Sequence, residues 1–176
     1  MGTSKGYQPP KGYLWSDAKR AVSSMVRNHF DSDSIGKAVS RFNQAVRQGG
    51  TYSRQQRLSV AGSKAIGFFS IAKLQGFEKA LEHAGLSDLI GKSNMEIYMG
   101  LLDYFVGSSN TLDDSIVWDS MAELLKELFL DVPGDKSFED IINDLDMSKF
   151  IKDIITKFIQ KDFFMNFSEK IEAKCK

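Results

Sequence analysis

Apolar residues recur along this chain every three or four positions, the spacing that places them on one face of an α-helix. No run shows the alternation of apolar and polar residues between hairpin turns that is typical of a β-strand. The clearest stripes are Tyr98, Leu101, Leu102 and Phe105, then Val117, Met121, Leu124, Leu125 and Leu128. Because amphipathic helices bury their apolar faces against one another, the pattern predicts an all-α fold, a compact multi-helix bundle.

Length and helix-boundary residues divide the chain into a tail and one domain. The 176 residues suffice for a sizeable core. We predict a flexible tail over residues 1–15 and a single α-helical domain over 16–176. Helices are predicted to begin at Ser16 or Asp17, within 31–34, near Ser53, and at Phe77, Ser93, Thr111 and Ser137. Ser93 and Glu96 fit a capping box, in which each side chain accepts a hydrogen bond from the other's backbone amide.

The last predicted helix has apolar residues on more than one stripe. They are Phe150, Ile151, Ile154, Ile155, Phe158, Ile159, Phe163, Phe164 and Phe167. A helix of this kind is either central to a bundle or covered by another surface. Core packing is the favoured interpretation. Because the chain stops soon afterwards at Lys176, a docking partner or a longer parent protein is the alternative.

Charged residues are unevenly distributed, although the formal net charge is zero. The first 76 residues carry 12 Lys and Arg against three Asp and Glu, a net of +9, and the rest carry 11 against 20, a net of −9. The simplest interpretation is two solvated faces of opposite sign. The alternative is a nucleic-acid-binding protein that uses the basic half, with phosphate contacts from Arg41, Arg47, Arg54, Arg57 and Lys64.

Motif-like stretches lack the residues that their chemistry requires. Gly91-Lys92-Ser93 ends like a phosphate-binding loop, but five residues separate Gly85 from Gly91 where the loop needs four. Two acidic runs begin like calcium loops, but Phe42 and Ile155 stand where each loop needs a bidentate glutamate. These stretches are therefore interpreted as helix starts.

The remaining reactive side chains are few. His29 and His83 are the only histidines, lie far apart in sequence and have no cysteine partner for a zinc site. The single cysteine, Cys175, allows no internal disulfide and indicates a cytoplasmic setting. No apolar run is long enough to span a membrane. We predict no catalytic residues, no metal site and no cofactor, so the chain is not expected to be an enzyme.

The first fifteen residues, MGTSKGYQPPKGYLW, contain a repeated Lys-Gly-Tyr and a Pro-Pro pair. This opening, together with AVSRFNQAVRQGG, AGSKAIGFFS, GLSDLIGKSNMEIYMGLLDYF and NTLDDSIVWDSMAELLKELF, resembles the B component of the Qat anti-phage defence system. The resemblance follows the same order over most of the chain. Members of that family are expected to be longer, with a more extended leader and more sequence after the last helix.

The resemblance implies a non-catalytic role in bacterial defence beside three other proteins. These are an ATPase, a TatD-like nuclease and a QueC-like enzyme, which is similar to 7-cyano-7-deazaguanine synthase and is the C component of the system (QatC-like). Removal of Met1 would expose the amine of Gly2, and the QueC-like enzyme would join a deazapurine to it through an amide. The residues expected to contact that enzyme are Thr3, Ser4, Lys5, Gly6, Tyr7, Pro9, Pro10, Tyr13 and Trp15.

Other interpretations of this leader and of the whole chain stay open. The leader can be a disordered tail without a function. Myristoylation is disfavoured because Gly6 stands where Ser or Thr is usual. Besides nucleic-acid binding, the helical body can serve as a structural scaffold for the ATPase.

Overall fold

The computed structural model describes residues 11–48, 52–108, 112–132, 134 and 136–175. Within these ranges it contains eight α-helices, one short 3₁₀ helix (Ser87–Leu89) and no β-strand, which confirms the predicted all-α fold. The α-helices are α1 (Tyr13–Arg27), α2 (Ser32–Gln48), α3 (Tyr52–Gln75), α4 (Phe77–His83), α5 (Asn94–Val106), α6 (Leu112–Phe129), α7 (Phe138–Asp144) and α8 (Met147–Cys175).

Capping interactions explain several of the helix starts. Ser93 opens α5 with the predicted capping box: Glu96 N donates to Ser93 Oγ at 3.3 Å, and Ser93 N donates to Glu96 Oε2 at 3.0 Å. Ser137 and Asp140 form the same arrangement at α7. Helix α2 is capped by Asp31, whose Oδ1 accepts from Ser34 N at 3.0 Å. The predicted cap Thr111 and the predicted stop at Gly49-Gly50 lie outside the described residues.

Helix α1 begins earlier than the sequence suggested. It starts at Tyr13 rather than at Ser16 or Asp17, with Gly12 as the N-cap. No side chain caps this end, and Ser16 Oγ instead donates to the Gly12 carbonyl at 3.0 Å. Helix α1 therefore includes the last three residues of the predicted tail, while residues 1–10 lie outside the described part of the chain.

The turns after α4 and α1 share one hydrogen-bond pattern. In the turn after α4, Gly85 has a φ of 73°, and Leu86 N donates to Leu81 O at 2.8 Å in a Schellman turn. At the end of α1 the corresponding positions are occupied by His29 (φ 52°) and Phe30 (φ 60°), and Phe30 N donates to Met25 O at 2.9 Å. Glycine favours this left-handed conformation, whereas two consecutive side-chain-bearing residues adopt it at a cost.

The contacts divide the chain into two compact units. Unit 1 comprises Met1–Ser53 and Gln160–Lys176, and unit 2 comprises Arg54–Ile159. Helices α3 and α8 each contribute residues to both units. The single domain over residues 16–176 stays a prediction.

The core of unit 1 is formed by aromatic residues of α1, α2 and α8. The ring centroid of Phe42 lies 5.9 Å from that of Trp15, 5.3 Å from Phe163 and 5.7 Å from Phe167. Lys170 Nζ also donates to the Lys19 carbonyl at 2.8 Å, which links α8 to α1. Of the three aromatic residues in the second half of the last helix, Phe163 and Phe167 are thus part of a core, whereas Phe164 is 58% exposed.

Helical spacing in the sequence predicts an apolar face of Ile35, Val39, Phe42 and Val46 for α2, and the buried face differs from it by a small rotation. Phe42 and Val46 are buried as expected, but Ile35 is exposed and Val39 is half-buried. Ala38 and Ala45 occupy the buried face instead. Small residues at these positions allow α1 and α2 to pack closely.

The core of unit 2 is centred on Phe69 of α3. Its ring centroid lies 5.7 Å from Phe105 of α5, 6.1 Å from Phe129 of α6 and 5.3 Å from Phe150 of α8. Phe138 of α7 stacks on Phe129 with a centroid distance of 4.6 Å. The predicted stripes of α5 and α6 are buried, apart from Leu128, which is half-buried.

Candidate functional site

The predicted contact residues at the N-terminus lie mostly outside the described part of the chain. Gly2, the predicted acceptor, is among them, as are Thr3, Ser4, Lys5, Gly6, Tyr7, Pro9 and Pro10. Tyr13 is described: it is the first residue of α1 and is 73% exposed. Lys11, two residues before it, is also exposed. The Lys-Gly-Tyr sequence next to α1 therefore lies on the surface.

Trp15 has a different environment from Tyr13. It is only 2% exposed and packs against Phe42 and Phe167 in the core of unit 1. Among the residues that the structure describes, its indole Nε1–H has no hydrogen-bond partner. A side chain enclosed in this way is not presented to another protein, so Trp15 is left out of the proposed contact surface.

Three of the five residues suggested for phosphate contact are buried or already make other contacts. Arg54 is only 4% exposed, and Arg57 forms an ion pair with the buried Asp114. Lys64 Nζ donates to the Tyr104 carbonyl at 3.0 Å and lies over the ring of Tyr104. These three belong to unit 2, whereas Arg41 and Arg47 belong to unit 1.

The Gly91-Lys92-Ser93 sequence has the structural role of a helix start. Ser93 caps α5, and Gly91 and Lys92 line a cavity of about 560 Å³ beside the first residues of α4 and α7. Glu78, Glu139 and Lys79 line the same cavity, which is therefore of mixed charge. The role of Ser93 as the cap of α5 agrees with the interpretation of this stretch as a helix start.

Clusters suited to metal binding are absent from the residues that the structure describes: no three His, Cys, Asp or Glu side chains are grouped to hold an ion. His29 lies in the turn after α1, and His83 is the last residue of α4. Across the described ranges, no helix combines the length and apolar character that a membrane crossing requires.

Unit 2 contains an apolar groove that no sequence pattern indicates. It has a volume of about 300 Å³ and lies between the second half of α6, α7 and the first turns of α8. Its apolar lining consists of Leu124, Leu128, Val132, Ile141, Leu145 and Phe150. Leu124, Leu145 and Phe150 are buried, and the other three are partly exposed.

Four carboxylates and two lysines surround these apolar residues. The carboxylates are those of Glu127, Asp144, Asp146 and Asp153, and the lysines are Lys136 and Lys149. Lys136 Nζ lies 3.2 Å from Asp144 Oδ2, and Lys149 Nζ lies 2.6 Å from Asp153 Oδ2. Both lysines therefore already have an acidic partner, and the rim has more negative than positive groups.

Hydrogen bonds also engage the remaining two rim carboxylates, Asp146 and Glu127. Asp146 accepts from the backbone amides of Lys149 and Ser148 at the start of α8, and these bonds lower its pKa. Glu127 accepts from Lys157 Nζ at 2.7 Å. Burial alone would lower the pKa of Lys157, but its hydrogen bonds to Glu123 and Glu127 outweigh this effect and raise the pKa.

The described residues define an all-α protein with two aromatic cores and an apolar groove with an acidic rim. A family model described as Qat anti-phage system associated protein QatB matches residues 48–176. The match covers most of the chain, and the chain belongs to this family. The resemblance inferred from the sequence is thereby confirmed. No curated protein and no solved structure matched.

Proposed function

We propose that this chain is a non-enzymatic component of the Qat system that serves as binding partner and N-terminal-glycine substrate of the QueC-like enzyme. The observation that carries the proposal is the family match over residues 48–176, which makes the chain an anti-phage Qat component. The match does not include residues 1–47, so the role of Gly2 rests on the opening of the sequence.

The chemistry requires an uncharged terminal amine and an activated carboxyl group. An α-amino group has a pKa of about 7.7–8.0, so a substantial fraction is neutral at cellular pH. The QueC-like enzyme would activate a deazapurine carboxylate with ATP. The Gly2 nitrogen attacks the carboxyl carbon, the activating nucleotide leaves, and the nitrogen loses a proton as the amide forms.

The features next to the leader support its presentation to another protein. Tyr13 and Lys11 are exposed where the leader joins α1. Glycine has no side chain to obstruct entry into a narrow active site. Tyr7 and Tyr13 would provide aromatic contacts on the enzyme, and Pro9-Pro10 would stiffen the segment between them. The helical body would supply a second docking surface, with the ATPase and the TatD-like nuclease as further partners.

Co-expression with the QueC-like enzyme, followed by intact mass measurement, tests the proposal. We expect loss of Met1 and addition of one deazapurine acyl group, located at Gly2 by fragmentation of the N-terminal peptide. The Gly2→Ala variant should be modified far less, because its methyl group lies beside the reacting nitrogen. Lys11→Arg is the matched control: it removes an exposed side-chain amine of the leader outside the expected contact residues, and modification should persist. An unchanged mass, or equal modification of Gly2→Ala, would contradict the proposal.

A further inference from the structure

The groove of unit 2 combines two properties that favour a particular occupant. Its floor is apolar, with Leu128, Val132 and Ile141 partly open to solvent. Its rim carries four carboxylates against two lysines, which pair with Asp144 and Asp153, so the rim keeps a net charge of −2. An occupant that matches both properties has apolar side chains for the floor and free Lys or Arg side chains for the rim.

We propose that this groove docks a basic amphipathic segment of a partner protein. An α-helix with apolar residues at i, i+3 or i+4, and i+7 places them on one face, and basic residues on its flanks would face the rim. The proposal deepens the proposed function by assigning the helical body's docking surface. It does not depend on modification of Gly2.

The acidic character of unit 2 as a whole supports this choice. Residues 54–159 contain 11 Lys and Arg and 17 Asp and Glu, a net charge of −6. A field of this sign accelerates the approach of a basic segment and disfavours an acidic one. The rim carboxylates then fix the orientation of the bound segment through charge-assisted hydrogen bonds.

Two synthetic helical peptides test the proposal with the full chain. They share one leucine face and differ only in carrying lysine or glutamate on the other faces. Titration by fluorescence anisotropy at low salt should show the lysine peptide binding at least about tenfold more tightly than the glutamate peptide. Raising the salt concentration should weaken the lysine peptide, because screening reduces its attraction to the rim.

Matched variants locate the binding. Leu128→Gln in the groove should weaken the lysine peptide about tenfold. Leu74→Gln is its control, since Leu74 is an exposed helical leucine of unit 2 outside the groove lining. The double change Asp144→Asn and Asp153→Asn should have a similar effect through the rim. Asp119→Asn, at an exposed position of α6 outside the lining, should leave the affinity within about twofold.

Circular dichroism confirms that each variant retains its helices. Equal binding of both peptides, or lysine-peptide binding that survives the groove variants, would overturn the proposal. So would concentration-dependent self-association that Leu128→Gln abolishes, because the occupant would then be a second copy of this chain. Loss of Gly2 modification without a change in peptide binding would count against the proposed function alone.

Discussion

Trp15 provides the most direct test of where the helical body begins. The sequence places it at the end of a tail, but the structure packs it in the core of unit 1 against Phe42 and Phe167. We therefore expect Trp15→Ala to destabilise the protein strongly. Tyr13→Ala, two residues away on the same helix, should change the free energy of unfolding by less than about 0.5 kcal/mol, because Tyr13 is mostly exposed.

The expected magnitude follows from burial. A buried aromatic side chain removes about 150–250 Å² from water. At about 25 cal/mol per Å², this corresponds to about 4–6 kcal/mol as an upper bound. Truncations of buried aromatic residues to alanine typically cost about 3–5 kcal/mol, which is the range expected for Trp15→Ala.

Replacing Trp15 by phenylalanine tests the indole nitrogen separately from the packing of the ring. Trp15 Nε1 is buried and finds no hydrogen-bond partner within the described part of the chain. An unsatisfied buried donor costs about 1–3 kcal/mol, and phenylalanine removes that donor while keeping most of the packing. Trp15→Phe loses some contact area in exchange, so its free energy of unfolding should lie within about 1 kcal/mol of the wild type.

Urea unfolding followed by circular dichroism measures all three variants. Trp118, in unit 2, is the only other tryptophan, so its fluorescence reports on unit 2 once Trp15 is replaced. The expected order of stability is Tyr13→Ala close to wild type, then Trp15→Phe, with Trp15→Ala far below. If Trp15→Ala unfolds within about 1 kcal/mol of the wild type, the placement of this residue in a core is refuted.

Three further predictions concern helix ends. Ser93→Ala should lower the free energy of unfolding by about 1 kcal/mol, because it removes the α5 cap, and thermal melts measure the loss. Hydrogen bonds from Ser93 lower the pKa of Glu96, so the charged carboxylate stabilises the fold above its ordinary pKa and this contribution is lost as the pH falls. The difference in the free energy of unfolding between wild type and Glu96→Gln should therefore shrink in acid. In the turns after α4 and α1, Gly85→Ala should lower the free energy of unfolding and His29→Gly should raise it, each by about 1 kcal/mol. If both substitutions changed the free energy of unfolding in the same direction, the left-handed backbone at these two positions would not explain the effect.

Local patterns were sufficient to predict most helices. The capping residues Ser93 and Ser137 and the stripes of α5 and α6 are properties of a few neighbouring residues, and the structure confirms them. The predicted start of α1 was wrong, because its N-cap residue, Gly12, has no side chain that could signal a helix start in the sequence. Trp15 is held in place by Phe42 and Phe167, which lie far from it in sequence. Contacts between residues so far apart in sequence produce no local sequence pattern.

The surface chemistry was less predictable for the same reason. Arg57 looked available for phosphate contact, but its partner Asp114 lies 57 positions further along the chain. The groove of unit 2 combines residues of α6, α7 and α8. The sequence of each helix by itself shows only an ordinary amphipathic pattern, so the groove cannot be recognised from any one of them. Charge counts over halves of a chain cannot distinguish paired from available side chains.

The earlier start of α1 also limits where the proposed modifying enzyme can bind. Only the eleven residues 2–12 separate the body from the proposed acceptor nitrogen, because Tyr13 already belongs to a helix. A fully extended chain spans at most about 3.3–3.6 Å per residue, so Gly2 lies no more than about 40 Å from the start of α1. A tail ending at residue 15 would have allowed about 10 Å more. The enzyme's active site must therefore come within this radius of Tyr13, and an enzyme that docks on the helical body beyond it could not reach Gly2.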